Sequence, residues 1–397
     1  MLETMLRQQD HHYFAADARL HEILDWISAH ADALAEFGAE ARQARQLPLA
    51  CVALLRENGL FDLALDADAG GVGLTSAGQA RALEELAKID ASISWCVMIG
   101  MDSGIYRGFV SDDVRKEYFP RPGLATAGWV HPQGRAEDLG DGTCRISGRW
   151  QFASGIDHAD VVMAGVLYKQ HEQDSGSWRI AVLDKTQVTI EDTWHTWGLQ
   201  GSGSQHYHAE NLIIPTERTL SLFEPTLPGP MHHPHDGILR KMAGIPLGTA
   251  IGALQVAVDA TTKKTAGLRD NGGHANDRVL NNVGRITGDI LALRAAVYDS
   301  LTQAWTVYTD TPENTEEVQA ALVATAAVRQ RAFRRCRELV LDAADLLGAR
   351  GVYTASSDLG ARVTDMQVMT QHAVGQESLL DLVGNRIVGG DATDAFL

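Results

Sequence analysis

Apolar side chains return every three to four residues over about residues 18–110, the spacing of helices that bury one face. Leu20, Ile23, Leu24, Ile27 and Leu34 form the first such stripe. Pro48 opens a second helix over 49–57 and Gly59 stops it. Proline presets φ at a helix start, and glycine accepts the turn at its end. A third helical zone over 76–101 carries Leu83, Leu86, Ala87 and Ile89. Between them lies Asp66-Ala67-Asp68-Ala69-Gly70-Gly71-Val72-Gly73-Leu74. It lacks the preceding strand and the following Lys-Ser/Thr of a phosphate cradle, so it reads as a turn.

From about residue 124 to 217 the period changes. Segments at 143–152, 161–166, 178–183 and 206–214 are short, rich in β-branched or aromatic residues, and separated by Gly/Asp turns. They predict an antiparallel sandwich or small barrel. The helical period then returns over 238–269, 279–308, 313–347 and 356–387, with Leu339, Leu341, Leu346 and Leu347 on one apolar face. Long helices joined by short loops predict a bundle. The chain is expected to be α+β in three parts: helices over 1–120, a β domain over 121–230 and a helical bundle over 231–397.

Composition narrows the function classes. A formal charge of −17 disfavours nucleic acid and anionic membrane surfaces, which attract Lys and Arg. Cys51, Cys96, Cys144 and Cys336 lie far apart without metal spacing and read as reduced, buried thiols of a cytoplasmic protein. No membrane-spanning helix is expected. The tract Met231-His232-His233-Pro234-His235 lacks the i, i+4 spacing of a metal site. It reads as a loop over the active site or at a subunit contact, and no metal is assigned.

The segment Gly148-Arg149-Trp150-Gln151-Phe152-Ala153-Ser154-Gly155, with Ile156-Asp157-His158-Ala159-Asp160 after it, is the chemically suggestive one. A strand alternates with period two, so Trp150, Phe152 and Ser154 should share a face. An aromatic wall ending in a hydroxyl suits a flat cofactor with polar edges. It is equally the look of a half-buried strand closed by a serine-capped turn.

The order and length of these parts resemble the acyl-CoA dehydrogenase fold. The resemblance is carried by Trp197-Gly198-Leu199-Gln200-Gly201-Ser202-Gly203-Ser204, by Asn211-Leu212-Ile213-Ile214-Pro215, by Leu346-Leu347-Gly348-Ala349-Arg350-Gly351-Val352-Tyr353, and by Arg362 with Asp365. In the commonest dehydrogenase branch a glutamate eight residues past that aspartate abstracts the substrate's α-proton. Here that place holds Ala373, beside His372, with Glu377 about one helical turn further on. Pro132-Gln133-Gly134-Arg135-Ala136, the 148–160 segment and His372 resemble instead the two-component flavin-dependent monooxygenases of the fold.

That resemblance implies an enzyme that takes reduced flavin from a separate reductase, FADH2 before FMNH2. With O2 it forms a C4a-(hydro)peroxyflavin that oxygenates a small aromatic or heteroatom-bearing substrate. Ser154 and His372 are the implied catalytic residues. Trp129, Val130, His131, Phe152, Ala153, Ser154, Arg269, Leu347, Gly348 and Ala349 are the implied flavin contacts. Trp95 and His372 border the substrate, and a homotetramer is implied. The alternatives are an acyl-CoA dehydrogenase-like desaturase and a non-catalytic binding or assembly member of the fold.

Overall fold

The computed structural model describes residues 1–171, 173–269, 277–353 and 357–392. It begins with helices α1 (Leu2–Phe14), α2 (Ala18–Ala29), α3 (Ala31–Ala44), α4 (Leu49–Glu57), α5 (Ser76–Ile89), α6 (Ala91–Gly100), α7 (Ser103–Tyr106) and α8 (Asp112–Tyr118). Strands follow: β1 (Thr126–Asp138), β2 (Thr143–Ala153), β3 (Val161–Lys169), β4 (Ser177–Asp184), β5 (Thr189–Glu191), β6 (Gln205–Pro215) and β7 (Thr219–Leu220). The chain then returns to helix: α9 (Gly237–Arg240), α10 (Gly244–Arg269), α11 (Asp277–Asp310), α12 (Thr315–Leu347), α13 (Leu359–Met369) and α14 (Ser378–Ile387).

The strands form one sheet in the order β5-β6-β2-β1-β3-β4-β7. The pairing is mixed, not wholly antiparallel: β1 and β3 run parallel because β2 turns back on the opposite side of β1. The sheet has its own core, in which Trp150 stacks on Tyr207 at 5.2 Å beside Ile146, Val162 and Leu183.

The two helical regions share a single apolar core. Leu83 and Leu86 of α5 pack with Ile245, Leu247 and Ile251 of α10 and with Phe333 and Leu339 of α12. The approach is close. A Cβ at Gly244 would lie 2.0 Å from the Ala80 carbonyl oxygen, and one at Gly248 the same distance from that of Glu84. Gly237–Lys263 is long and apolar enough to cross a membrane, but 78% of its apolar window is buried inside the protein. Its composition is that of a core helix.

Charged groups tie the same layer. Arg294 of α11 donates from Nε to Glu84 of α5 at 2.9 Å and reaches Asp10 of α1, with its side chain fully buried. Tyr298 donates to the same glutamate at 2.6 Å. Helices and sheet are joined by Asp160, which accepts from the Ala125 amide at 2.9 Å and pairs with Arg56 at 3.0 Å.

Three expected helices are broken, the one over 238–269 by the 3-10 turn Lys241–Ala243 between α9 and α10. The third zone splits at Asp90, whose carboxylate accepts from the Ile93 amide at 2.9 Å and caps α6 just where α5 ends. The last splits between α13 and α14, where Ala373–Gly375 forms a 3-10 turn. His372 therefore stands at the entrance of a turn and not within a helix. Its extended backbone, at ψ 146°, and its Nδ1, which accepts from the Val374 amide, close that turn.

Candidate active site

A cavity of about 180 Å³ opens where α6, the sheet, the 194–204 loop, α9 and α13 meet. A single water needs only ~10–15 Å³ by such a measure, so the space is ligand-sized. Trp129, Val130, His131, Phe152 and Trp194 wall the sheet side. Ile99, Asp102, Tyr106, Ile238, Leu239 and Met242 wall the helical side, with Trp95, Ser154 and His372 also lining the space. Seven of the residues singled out from sequence thus converge on one cavity: Trp95, Trp129, Val130, His131, Phe152, Ser154 and His372.

Ser154 is 6% exposed and held at the centre of a hydrogen-bond chain. Trp95 Nε1 donates to Ser154 Oγ at 3.0 Å. Ser154 Oγ lies 2.7 Å from Ser204 Oγ, which lies 2.7 Å from Ser202 Oγ. An indole nitrogen only donates, so Ser154 must accept from Trp95. If Ser202 donates to Ser204 and Ser204 to Ser154, the Ser154 hydrogen is left for the cavity. Ser202 and Ser204 lie in the glycine-rich segment noted above, but their contact with Ser154 depends on a fold-back that spacing does not reveal.

The strand around Ser154 departs from simple alternation. Trp150 is fully buried in the sheet core and donates from Nε1 to the Gly165 carbonyl at 2.7 Å. Phe152 is 45% exposed and adopts φ +60°. The two rings do not share a face, because the β2–β6 register shifts between Trp150 and Ala153. Positive φ is costly for a bulky side chain, about 1–3 kcal/mol, and such strain collects at functional sites. The shift turns Phe152 towards the cavity, edge-on to Trp129 at 5.6 Å and to Trp194 at 6.4 Å. Ala153 is buried in the sheet core opposite Gln205 and is not among the lining residues, so its side chain belongs to the sheet.

A second irregularity shapes β1. Trp129 pairs with Ala164 and Gly134 with Val166, leaving residues 130–133 without partners in the β1–β3 register. The Val130 carbonyl is instead used by Trp178 Nε1 at 2.6 Å. Trp129 is fixed by its amide, which donates to Tyr207 Oη at 3.1 Å. Its indole N–H is buried with no hydrogen-bond partner among the described residues.

His372 lies edge-on to Trp95 at 5.7 Å and to Trp129 at 6.4 Å. Burial, and then the positive charge of Arg329, lowers its pKa to about 4. It is therefore a neutral imidazole at physiological pH. Its Nδ1 accepts from the Val374 amide at 3.4 Å, which places the ring hydrogen on Nε2.

The glycine-rich segment is positioned by α13. Asp365 Oδ1 accepts from the Leu199 amide at 2.6 Å, where Leu199 has φ +48°. Burial and the nearby Asp90 push the Asp365 carboxyl up to about 7, and Arg42 bridges the two acids at 3.6 and 3.8 Å. Arg362 anchors the same helix to the Ala87 and Ile89 carbonyls of α5. In the 148–160 segment, His158 packs on Phe61 at 5.9 Å, outside the lining, and burial lowers its pKa to about 4.

Other residues lie elsewhere. Leu347, Gly348 and Ala349 sit at the exposed end of α12, away from the lining. Arg269 ends α10, and its side chain lies outside the described residues. Glu377 is exposed and does not line the cavity. His232 is buried and donates from Nδ1 to the Pro228 carbonyl at 3.2 Å, outside the cavity lining. Asp102 and Tyr106, which do line it, carried no sequence signal beyond an acid after an apolar run. Asp102 is the sole acid among the lining residues and is paired with the buried Lys241.

Comparison with known proteins bears on both halves of this arrangement. The acyl-CoA dehydrogenase N-terminal domain matches residues 21–123, and the acyl-CoA dehydrogenase C-terminal domain matches residues 241–377. The chain is 25% identical to an indole-3-acetate monooxygenase of Pseudomonas putida over 366 residues, 90% of each chain. It is 27% identical over 246 residues to the oxygenase component of an FADH(2)-dependent resorcinol hydroxylase of a Rhizobium species, covering 59% of this chain and 60% of that one. The crystal structure of a 3-HSA hydroxylase from a Rhodococcus species superposes with a TM-score of 0.84 at 19% identity, over 95% of this chain and 99% of that one. With its helical regions matched on both sides of the sheet and the fold shared end to end, the chain belongs to the acyl-CoA dehydrogenase family.

Proposed function

We propose that this protein is the oxygenase component of a two-component flavin-dependent monooxygenase acting on a small aromatic substrate. The observation that carries the reading is the conjunction of Ser154 and a neutral His372 on one apolar cavity, where a dehydrogenase of the commonest branch would place a carboxylate. α-Proton abstraction needs such a base. The lining offers only Asp102, engaged by Lys241 and seven residues beyond Trp95, roughly 10 Å at the helical rise. The relatives named as monooxygenase and hydroxylase point the same way.

The residues fit a flavin. Trp129, Phe152 and Trp194 offer flat apolar surface, while residues 130–133 offer backbone outside the β1–β3 pairing. The Trp129 indole supplies a donor that lacks a partner among the described residues. When bound, a reduced flavin supplies the two electrons with which one atom of O2 enters the substrate and the other leaves as water. Ser154, with Trp95 donating to it and Ser204 at 2.7 Å, would hold the edge of such a ring with its hydroxyl hydrogen. His372 would offer its Nε2 hydrogen to an oxygen in the cavity, and the aromatic wall would exclude bulk water.

The FADH(2)-dependent relative supports FADH2 over FMNH2, and the name "oxygenase component" supports a separate reductase. Val352 and Tyr353, 75% and 66% exposed beside Leu347, Gly348 and Ala349, support contact with a second copy. In the proposed tetramer that end of α12, with Arg269, approaches a flavin.

Rapid mixing tests the reading. The protein should slow the reoxidation of reduced flavin by O2 relative to free flavin, followed by the return of oxidised-flavin absorbance. Ser154→Ala should shorten that delay about tenfold, the loss expected for one hydrogen bond of ~1.4 kcal/mol. Reoxidation as fast as in free solution, with anaerobic bleaching of bound flavin by an acyl-CoA, would establish a dehydrogenase instead.

A further inference from the structure

The helical end of the cavity is largely apolar, its polar groups being Asp102 and the Tyr106 hydroxyl, with Gln371 and His372 beside α13. Ile99, Ile238, Leu239 and Met242 line it, and Asp102 interrupts them. The Asp102 side chain is 5% exposed and its partner Lys241 is fully buried. Lys241 Nζ is the only donor to that carboxylate among the described residues. A carboxylate has about four lone-pair sites, and buried polar groups are rarely left short of partners. Tyr106 follows four residues later, on the same side of the short helix, and lines the same cavity, its hydroxyl making no hydrogen bond among the described residues. Burial raises the Asp102 carboxyl to about 6, against the opposing pull of Lys241. It is thus chiefly ionised at neutral pH.

The lysine makes this arrangement more than a buried ion pair. A charge pair walled off from any ligand is usually no better than apolar packing. Here one member is enclosed and the other reaches the ligand space. Lys241 fixes Asp102 and offsets its charge, while the carboxylate is the member that faces what enters. Its remaining lone pairs accept hydrogen bonds and do not donate them.

We propose that Asp102, held by Lys241, is the specificity-determining acceptor for an O–H or N–H group on the aromatic substrate. The inference rests on the oxygenase reading and deepens it. The site would take neutral phenols or N–H heteroaromatics, and would disfavour rings whose donor is methylated or whose tail at that end is a carboxylate. The second exclusion separates it from an indole-3-acetate specificity, despite the similarity to enzymes of that name.

Calorimetric titration of the full chain with reduced flavin, without oxygen, tests this using indole, N-methylindole and indole-3-acetate. Indole should bind at least about tenfold more tightly than N-methylindole, as expected for one hydrogen bond to a charged acceptor, and more tightly than indole-3-acetate. Asp102→Asn keeps a carbonyl acceptor and should retain a reduced preference for indole. Pairing Asp102→Leu with Lys241→Met removes both charges without stranding either, so the fold should survive while the preference disappears. Equal binding of indole and N-methylindole, tighter binding of indole-3-acetate, no binding of any probe, or a preference that survives the double substitution would each overturn the proposal. Because no oxygen is consumed, the titration fails or succeeds separately from the reoxidation experiment.

Discussion

Ser154 and His372 are made what they are by their neighbours. A serine hydroxyl at a strand end is unremarkable until an indole N–H takes up part of its accepting capacity and a second serine sits at 2.7 Å, an arrangement that leaves its hydrogen for the cavity when Ser204 is the donor. A histidine is ordinarily the residue most easily charged near neutral pH, yet enclosure by Trp95 and Trp129 and the charge on Arg329 keep this one neutral. The shift has a consequence for stability. In the unfolded chain the ring takes up its proton near pH 6.5, and in the native protein only near pH 4. Between those values the unfolded state holds more protons, so stability rises with pH across the window and falls as the medium is acidified below about 6.5. His372→Gln should therefore flatten the loss of Tm between about pH 7 and pH 4.5, read by scanning calorimetry. An unchanged slope would show that the native ring titrates like a free one.

The elements differ in how far local chemistry determines them. The helix at Leu49–Glu57 was legible because proline and glycine mark its ends and its boundaries need no distant partner. The break at Asp90 was not, since the apolar stripe runs on through it and only the capping hydrogen bond reveals that a new helix begins. Period-two alternation placed Phe152 beside Trp150, and a bulge with positive φ separates them. His372 was found through its place in a family motif, while the turn that holds it depends on its own side chain and interrupts the expected helix. Asp102 was missed because its meaning comes from Lys241, 139 positions away. The same non-locality governs the helical layer. Arg294 and Glu84 join α11 to α5 with both charges buried, so removing Glu84 takes an acceptor from both Arg294 and Tyr298 and leaves the buried arginine only Asp10 as a carboxylate partner. Glu84→Ala should cost about 3–5 kcal/mol in chemical denaturation, and replacing Glu84 and Arg294 together by Leu and Met should restore much of it. A single substitution as mild as a surface change would show that water reaches the pair.

Viewed entire, the molecule is a helical layer whose core takes in one face of the sheet, at Val161, Met163, Ile180 and Val182, while the alternate residues of those strands build a second core. The cavity lies at their junction, where neither core closes over the other. That placement lets the sheet supply rings and a hydroxyl for a flat cofactor, while the helices supply a largely apolar pocket with one carboxylate. On the proposed reading flavin would take the sheet wall and substrate the helical one, with Trp95, Ser154 and His372 between them. Net negative charge and a ligand-sized, largely apolar interior agree with a small uncharged substrate more readily than with a polyanion. The most direct test supplies reduced flavin, isotopically heavy oxygen gas and a neutral donor-bearing aromatic that binds the Asp102 end, and weighs the product by mass spectrometry. One heavy oxygen atom per product molecule, with its mate recovered in water, is the expected result. A product free of label, or oxygen returned entirely as hydrogen peroxide while that aromatic is bound, would contradict the assignment as an oxygenase.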